Sequence, residues 1–440
     1  MNKITVSGAR RFLHQTLRKA FSFFPKPLRF AVYRSFVDCD PKPDSRLVLK
    51  IAETKEELEA CFKLLHDAYV SSGFMQPDPS GMRVTIYHAL PTTTTLCAKF
   101  DGEVVGTLSL IRESVFGFPL QSIFDLHGVR EKNGKIAEVS ALAVHPKFRK
   151  TGGSILFPLM KFMYEYCTTF FDTRHLVIAV NPNRIEMYES LLFFERLVEN
   201  SVDHYDFANG APAVGASVDL HLSPGIFKQV YGKKPRRKNL YLYFMRTKLR
   251  NIVMPSRRYF TTNDPVMTAD LLDHFFNLRT QTFHQLSERE RGLLHSIYNL
   301  PGYKRVLPVV FSESSFRNRQ RKHQRYSLKC PGSFCAIGTE NSPVQSLRVV
   351  ELSDDGFLAH SKDPLPTGVW GEVNIHLGSE ERSVMKAMVM RGKHNGNSGF
   401  YGFKLAEPDL PWRKLVGALK AGTTHDDLDN ATQFLLDGTH

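Results

Sequence analysis

The chain has 440 residues, of which 58 are Lys or Arg and 44 are Asp or Glu, for a formal net charge of +14. This length exceeds one ordinary hydrophobic core, so two or more domains are expected. An apolar content of 42% excludes a wholly disordered chain, and a mean hydropathy of −0.25 excludes a polytopic membrane protein.

Many of the basic residues lie in three tracts that contain no acidic residue. Residues 1–37, 233–260 and 317–329 hold 8, 10 and 6 basic side chains, which leaves 34 basic against 44 acidic residues elsewhere. An acidic body with three basic patches indicates local sites for anions more than a uniform nucleic-acid surface. The aromatic residues of the second tract alternate as in a strand, so nucleic acid is not an expected partner.

The six cysteines are scattered, without a CxxC pair or a neighbouring His pattern. We therefore expect reduced packing residues and no metal site. No signal-peptide pattern and no apolar run of about 18 residues occurs, which favours a cytoplasmic protein.

Residues 1–45 are predicted to form a separate basic segment. Its apolar side chains fall on one helical face, namely Leu13, Leu17, Ala20, Phe21 and Phe24. Pro25 and Pro27 are expected to end this helix. Two alternatives stay open: the helix packs on the protein's own core, or it lies peripherally on the inner face of the cytoplasmic membrane.

An α/β pattern extends over residues 46–250. The sequence predicts strands at 47–51, 96–100, 104–110, 136–144, 176–180, 217–222 and 240–244, and helices at 54–69, 155–170 and 184–194. The turn pair Asp101–Gly102 suits a hairpin between the second and third strands. This order predicts a mixed central sheet covered by helices.

The second half of the chain has a different pattern. Residues 251–315 are predicted to be a helical connector, and residues 421–440 an acidic tail. Between them, residues 316–420 contain short strands separated by Gly and Pro, at 349–352, 357–360, 372–377, 384–391 and 400–405. Strands at this spacing predict a small β-barrel.

A Gly-rich turn between a predicted strand and a predicted helix is the first candidate binding site. It contains Val144, Arg149, Lys150, Gly152, Gly153 and Ser154. Such a turn directs backbone N–H groups and the positive end of the helix dipole at one point, so it can hold a phosphate. The spacing matches neither a Walker loop nor a dinucleotide fingerprint.

This turn resembles the acyl-donor loop of the GNAT superfamily of acyltransferases, whose pattern is Arg/Gln-x-x-Gly-x-Gly/Ala. Arg149, Gly152 and Ser154 occupy the three positions, and Ser154 departs from the pattern. The turn at Asn181, followed by Tyr188 on the next predicted helix, is similar to the later motif of that superfamily. The resemblance implies that the loop and Asn181 bind an acyl donor.

Two further segments resemble long-chain N-acyl amino acid synthases, which are related to the autoinducer synthases. Residues 138–144 are similar to their Glu-x-Ser-Arg strand, with Ala141 in place of Arg, and residues 208–220 to their extra C-terminal portion. The resemblance covers about residues 46–250. It implies transfer of a fatty acyl group from the phosphopantetheine of acyl carrier protein to the amino group of an amino acid.

This chemistry needs few side chains. An amine that attacks a thioester must lose a proton, while the oxyanion is stabilised and the leaving thiolate is protonated. Glu138 is the candidate base and Tyr188 the candidate acid; the alternatives are an ordinary ion pair and a core tyrosine. Acyl carrier proteins are acidic, so Arg149, Lys150 and the tract 233–260 would form a complementary surface.

The predicted barrel carries a second pair of motifs. Arg321 and Arg325 lie in Arg-Lys-His-Gln-Arg, and Glu351, Ser353 and Gly356 lie in Glu-Leu-Ser-Asp-Asp-Gly. The pair resembles the PilZ domain, a bacterial cyclic di-GMP receptor with the signature Arg-x-x-x-Arg and Asp/Asn-x-Ser-x-x-Gly. Guanidinium groups bind phosphate and guanine O6 and N7, so the resemblance implies that these five residues bind cyclic di-GMP.

The sequence therefore predicts a GNAT-like mixed α/β domain joined to a PilZ-like barrel. The predicted function is N-acyl transfer from acyl carrier protein to an amino acid, regulated by cyclic di-GMP and without a metal. Two alternatives stay open: a coenzyme A-dependent N-acetyltransferase, and a non-catalytic cyclic di-GMP receptor that acts through a partner. The acceptor, the chain length, the sign of regulation and the oligomeric state are not predicted.

Overall fold

The structure is a computed structural model that describes residues 24–149, 151–255, 257–262, 264, 267–298, 301–310, 325–337, 343–395 and 398–421. Lys150 and Arg321 lie outside these residues. So do most of the predicted amphipathic helix and all but the first residue of the predicted acidic tail. Within the described ranges, no helix is both long enough and apolar enough to cross a membrane.

The first described helix, α1 (Lys26–Ser35), begins at the two prolines that we expected to end a helix. Pro25 is the N-cap and Pro27 lies in the first turn, where a missing backbone N–H leaves no hydrogen bond unmade. Whether an earlier helix ends here stays a prediction, because that helix lies almost entirely outside the described residues. Arg29 pairs with Glu186 at 2.7 Å, which ties α1 to a later helix.

A mixed sheet occupies the first half of the described chain. Its strands are β1 (Leu47–Ile51), β2 (Thr93–Phe100), β3 (Glu103–Arg112), β4 (Lys135–Val144), β5 (Thr173–Val180), β6 (Glu195–Arg196), β7 (Val202–Tyr205) and β8 (Ala211–Asp219). The order is β1-β2-β3-β4-β5-β8-β6, with β7 paired to β8. The neighbours β4 and β5 are parallel, and the other paired strands are antiparallel. The first five predicted strands are confirmed.

Helices cover both faces of this sheet. They are α2 (Lys55–Ser72), α3 (His127–Arg130), α4 (Leu156–Phe170), α5 (Pro182–Leu192), α6 (Ser223–Tyr231) and α7 (Leu240–Met245). Short 3-10 turns lie at Ile86–Ala89, Pro119–Ser122, Pro146–Phe148, Asp206–Ala208 and Arg236–Lys238. Cys97 packs in the core with α2, whereas its neighbours Leu96 and Ala98 pack with α4. Because successive strand residues point to opposite faces, α2 and α4 lie on opposite sides of the sheet.

Helix α7 corrects one prediction, because residues 240–244 were expected to form a strand. The Asn239 side chain accepts a hydrogen bond from the Leu242 backbone N–H and so caps a helix there. Leu240, Tyr243 and Phe244 are buried, which is the spacing of one helical face. The aromatic residues of this tract do not belong to a strand, so their alternation is no longer a reason to exclude nucleic acid as a partner.

The predicted helical connector packs against the first half. It contains α8 (Ala269–Leu272), a π-helix (Asp273–Arg279), α9 (Glu288–Ile297) and a 3-10 turn (Pro301–Tyr303). The ring of Phe275 meets the ring of Phe62 on α2 edge-on, with centroids 5.2 Å apart. These helices thus extend the core on the α2 side of the sheet.

A closed barrel follows in the described part of the second half. Its strands are β9 (Tyr326–Ala336), β10 (Gln345–Leu352), β11 (Gly356–Ser361), β12 (Trp370–His376), β13 (Arg382–Asn395) and β14 (Ser398–Leu405), in the order β10-β11-β14-β13-β12-β9. Helix α10 (Leu410–Ala421) closes one end, and the Trp412 indole N–H donates to the Ser353 carbonyl at 3.1 Å. The sheet and the barrel confirm the predicted fold class, although β9 was missed.

Candidate active site

The two parallel strands of the sheet, β4 and β5, separate along their length and leave a gap. Pairing between β4 and β5 begins at Lys135 and ends where Glu138 faces Val177. Beyond that point, β4 stays paired with β3, and β5 stays paired with β8. A cavity of about 540 Å³ lies in the gap and is lined by both strands. Because residues of both α2 and α4 also line it, the cavity passes through the sheet.

A bulge shapes β4 where the strand lines this cavity. The register between β3 and β4 shifts between Thr107 and Ser109, opposite residues 140–143. Ala141 lies in this bulge with φ +54°. A non-glycine residue in the left-handed region costs about 1–2 kcal/mol. Strain of this kind is retained where the surrounding structure imposes it, and it clusters at functional sites.

Glu138 is buried at the point where the two strands separate, with 2% of its surface exposed. One carboxyl oxygen, Oε2, accepts a hydrogen bond from the Leu120 backbone N–H at 3.1 Å. Burial raises the pKa of Glu138 to about 8, and the Leu120 N–H acts in the opposite direction. Glu138 forms no ion pair with a described residue, which does not support the alternative that it belongs to an ordinary ion pair.

Tyr188 lines the same cavity from α5. Its ring meets Phe194 edge-on at 5.9 Å, and its hydroxyl has no hydrogen-bond partner among the described residues. Burial raises the pKa of Tyr188 to about 12, so the hydroxyl keeps its proton at neutral pH and can donate it. Asn181 also lines the cavity, and its side-chain oxygen caps α5 by accepting from the Asn183 N–H at 3.0 Å.

The Gly-rich loop joins the end of β4 to α4. Arg149 folds back, and its Nε donates to the Val144 carbonyl at 2.8 Å. Gly152 and Gly153 have φ of +66° and +89°, which glycine adopts without strain. The Ser154 hydroxyl lies 2.6 Å from the Thr151 hydroxyl. The described loop residues do not line the cavity, so the structure brings Asn181, Glu138 and Tyr188 together without them.

Sequence reasoning missed the aromatic wall of the cavity on the α2 side. Tyr69, Phe74, Tyr205 and Phe207 line this end. Tyr205 is 4% exposed, and its hydroxyl is fully buried without a hydrogen-bond partner among the described residues. Burial, and then the nearby Glu138 carboxylate, raise the pKa of Tyr205 above its ordinary value. No sequence motif marks these residues, because only the fold brings α2 beside the turn after β7.

Sequence reasoning also missed the apolar wall on the α4 side. Side chains from α4, α6 and α7 line this end: Met160, Met163, Tyr164, Phe227, Phe244 and Met245. Phe244 and Met245 belong to the basic tract 233–260, so part of this tract faces the cavity. The cavity thus joins an aromatic, partly polar end to an apolar end. Glu138 of β4 lines it at the point where β4 and β5 separate.

The barrel contains a second cavity, of about 310 Å³. Four of the five predicted residues line it: Arg325, Glu351, Ser353 and Gly356. Arg325 Nη1 pairs with Glu351 Oε2 at 3.2 Å, and both side chains are about one-third exposed. Arg391 and Lys404, which the motif did not include, add two further cations to the lining.

The geometry around Gly356 explains why that position holds glycine. A Cβ there would lie 2.4 Å from the Phe403 carbonyl oxygen, so strand β14 leaves no space for a side chain. The Ser353 hydroxyl donates to the Gly356 carbonyl at 3.1 Å. Both residues therefore help to form the turn between β10 and β11 that borders the cavity.

Comparisons with known proteins bear on the sheet half of the chain. No curated protein matches the chain. Among solved structures, FeeM, an N-acyl amino acid synthase from uncultured soil microbes, is 24% identical with a TM-score of 0.35, over 41% of this chain and 94% of that chain. The coenzyme A-dependent acyl-homoserine lactone synthase BjaI is 18% identical with a TM-score of 0.35, over 47% of this chain and 92% of that chain. The acyl-homoserine lactone synthase LasI is 19% identical with a TM-score of 0.33, over 40% of this chain and 91% of that chain. TM-scores this low are not evidence that the chain shares a function with these proteins.

A family comparison is more specific. Residues 60–219 match the family described as N-acyl amino acid synthase FeeM. The matched range contains the whole cavity lining contributed by β4, β5 and α5, with Glu138, Asn181 and Tyr188. The match covers less than half of the chain and does not reach the barrel. It supports acyl transfer as the chemistry of the sheet half.

Proposed function

We propose that residues 46–250 form an N-acyltransferase that moves a long-chain fatty acyl group from acyl carrier protein to the amino group of an amino acid. The observation that carries this proposal is the position of Glu138. It is a buried carboxylate without a counter-ion among the described residues, in the lining of a cavity that joins an apolar end to an aromatic end.

The proposed reaction uses the described residues as follows. The amine nitrogen bonds to the thioester carbon, and Glu138 takes the proton that the amine must lose. The backbone of β4 beyond Glu138 is free of pairing with β5 and is available to stabilise the oxyanion. The carbon–sulfur bond then breaks, and the Tyr188 hydroxyl gives its proton to the leaving sulfur. A carboxyl group with a pKa of about 8 matches an ammonium group better than an ordinary glutamate does.

The apolar end of the cavity supports a long acyl chain. Each buried methylene group contributes about 0.8 kcal/mol, so side chains such as Met163 and Phe244 favour a fatty acyl over an acetyl group. The exposed cations at 233–238 support an acidic carrier protein as the donor. Lys150 stays part of this proposed surface as a sequence prediction.

We further propose that residues 316–420 form a PilZ-like domain that binds cyclic di-GMP and regulates transfer, linked through a connector at 251–315. The cavity is lined by three cations (Arg325, Arg391 and Lys404) and two carboxylates (Glu351 and Asp355). The net positive charge supports an anionic ligand. Arg321 is proposed from sequence alone. The Glu351 carboxylate is held by Arg325, so guanine binding requires this ion pair to open or rearrange.

Two assays test the transferase proposal. Lipid extracts of cells that express the chain are analysed by mass spectrometry, and the purified chain is supplied with fatty acyl carrier protein and amino acids. New N-acyl amino acids that disappear in Glu138→Gln are expected. No such product in either assay contradicts the proposal. Turnover of acetyl-coenzyme A with none of the acyl carrier protein favours the acetyltransferase alternative.

Calorimetric titration with cyclic di-GMP tests the barrel separately. We expect binding that weakens at least tenfold in Arg325→Ala, because a charge-assisted contact to phosphate or guanine is lost. Turnover is then measured with and without saturating cyclic di-GMP. Binding without any change in turnover contradicts regulation, and binding without any product in all transferase assays favours the receptor alternative.

A further inference from the structure

Among the described residues that line the through-sheet cavity, Arg184 is the one cation, and the proposed chemistry does not use it. Arg184 is the third residue of α5 and is exposed. Asn181 before this helix and Tyr188 within it line the cavity as well. Glu138 is the one carboxylate in the described lining. The cavity wall therefore presents two opposite charges, a carboxylate on β4 and a guanidinium on α5.

Arg184 pairs with no carboxylate among the described residues. The two glutamates of α5 are held by other cations, since Glu186 pairs with Arg29 at 2.7 Å and Glu189 pairs with Arg196 at 3.1 Å. A guanidinium group has five N–H donors in a planar fork, which binds a carboxylate through two parallel hydrogen bonds. Arg184 therefore has donors available for an anion that enters the cavity.

The other walls of the cavity offer no described cation that could replace Arg184. Ala141 lines the cavity on β4, at the position where the Glu-x-Ser-Arg pattern has its arginine. At the aromatic end, Arg83 stacks on the rings of Tyr69 and Phe207, but Arg83 itself is not part of the lining. An anion inside the cavity therefore meets its counter-charge on α5.

Two anions enter the proposed reaction, namely the carboxylate of the acceptor and the phosphate of the donor's phosphopantetheine arm. Tyr188 lies one helical turn from Arg184, a spacing at which side chains are neighbours, with Cβ atoms about 5–6 Å apart. Because Tyr188 is proposed to protonate the leaving sulfur, the thioester lies beside it. One carbon separates the amine of an α-amino acid from its carboxylate, whereas the whole pantetheine chain separates the sulfur from the phosphate. The carboxylate is therefore the anion that fits Arg184.

We infer that Arg184 binds the carboxylate of the acceptor and thereby selects amino acids over acceptors without a negative charge. The inference rests on the proposed N-acyltransferase function. The carboxylate of the bound acceptor faces Arg184 on α5, and its amino group faces Glu138 on β4, which takes the proton. Arg184 is thus a specificity-determining residue, which contacts the substrate and takes no part in the proton transfers.

The test uses the full chain with fatty acyl carrier protein as donor. Acceptors are leucine, phenylalanine and glycine, each compared with its own amide, in which an uncharged group of similar shape replaces the carboxylate. The wild-type chain is expected to prefer the amino acid by at least about tenfold in kcat/KM, the size of one charge-assisted contact. Equal or better use of the amides overturns the inference. If no acceptor is acylated at all, the proposed function itself fails, which is a different outcome.

Variants of Arg184 then locate the contact. Arg184→Gln is expected to raise KM for the amino acid at least about tenfold and to leave kcat/KM for the amide and KM for the carrier protein within about twofold. Arg184→Lys should keep part of the preference, because it keeps the charge but not the planar fork. Arg184→Glu should prefer the amide, because it repels a carboxylate. A raised KM for the carrier protein with an unchanged acceptor preference assigns Arg184 to the donor's phosphate and overturns the inference.

Arg289→Gln is the matched control. Like Arg184, Arg289 is exposed, lies in the first turn of a helix (α9) and pairs with no carboxylate within the described chain, but it does not line the cavity. Both changes replace an exposed side chain that has no ion-pair partner there, so both variants are expected to fold, which denaturation verifies. The control should keep the wild-type preference. A preference retained in Arg184→Gln, or lost equally in both variants, overturns the inference.

Discussion

Arg112 of β3 and Asp264 of the segment before α8 form a buried ion pair, with Arg112 Nη2 and Asp264 Oδ2 3.2 Å apart. Arg257 pairs with the other carboxylate oxygen at 2.7 Å, and the Tyr166 hydroxyl donates to it at 2.6 Å. Between these anchors, Phe260 donates its backbone N–H to the Leu377 carbonyl of the barrel at 3.0 Å. The segment 257–264 therefore contacts the sheet and the barrel at once.

Asp264→Asn should destabilise the protein strongly, because it removes the carboxylate with which the buried guanidinium groups of Arg112 and Arg257 both pair. Removing one partner of a buried ion pair costs about 3–5 kcal/mol. Chemical denaturation measures the loss of the free energy of unfolding. The control is Asp101→Asn, which removes an exposed partner of Arg46 at 3.2 Å and should cost about 1 kcal/mol or less. Equal effects of the two variants contradict a structural role for this cluster.

Acyl transfer should depend on pH through Glu138. Burial raises the pKa of this carboxyl to about 8, and only the deprotonated form accepts a proton from the amine. The rate kcat/KM is therefore expected to rise with pH through the region around 8 and then to level off. Glu138→Gln should lower it by about 10²–10⁴-fold and remove this limb. A flat profile of the wild-type chain between pH 6 and 9 contradicts Glu138 as the base.

The raised pKa of Glu138 also predicts that the protein becomes less stable over the pH range in which the rate of acyl transfer is expected to rise. Because the folded pKa of about 8 lies above that of an unfolded glutamate, protonation favours the folded state. Stability should therefore fall as the pH rises from about 4.5 towards 8, as an unpaired charge becomes buried. Glu138→Gln removes this loss, so the variant should be more stable than the wild-type chain at pH 9. Denaturation at pH 5 and pH 9 separates this effect from a general change in packing.

Tyr188→Phe should slow the departure of the thiolate, because its hydroxyl has a pKa of about 12 and is protonated at neutral pH. Loss of a general acid lowers kcat by about 10²–10⁴-fold. A donor whose thiol is strongly acidic, such as an aryl thioester, needs no proton to leave. We expect such a donor to restore most of the rate of the variant. An equal deficit with both kinds of donor indicates a packing role for the ring.

The sequence predicted Glu138, Asn181 and Tyr188 because each belongs to a local motif at the end of a strand or the start of a helix. Tyr69, Tyr205 and Phe207 were not predicted, because only the folded chain brings them together in one cavity wall. Local patterns also misled at residues 240–244, where alternating aromatic residues belong to a helix with a buried face. The spacing of apolar residues does not distinguish a helix from a strand in so short a segment, because a few apolar residues fit the period of either.

The two glycines of the loop before α4 allow a matched test of that loop. Gly153 has φ +89°, and a Cβ there would lie 2.6 Å from the ring of Phe157, which is buried against α7. Gly152 has φ +66°, and a Cβ there would meet Asp38 at an ordinary contact of 3.7 Å or more. Gly152→Ala therefore adds only backbone strain of about 1–2 kcal/mol, whereas Gly153→Ala must also displace Phe157 at the start of α4.

Gly153→Ala should consequently raise KM for the acyl donor more than Gly152→Ala does, with the acceptor saturating. If the loop holds the donor's phosphate through the backbone N–H groups before α4, moving Phe157 misaligns these donors, and the effect appears in the donor KM. Steady-state kinetics with fatty acyl carrier protein measures this, and denaturation of both variants measures the strain. Equal increases in donor KM from the two variants show that backbone strain alone accounts for the change, and an unchanged donor KM in both contradicts donor binding at this loop.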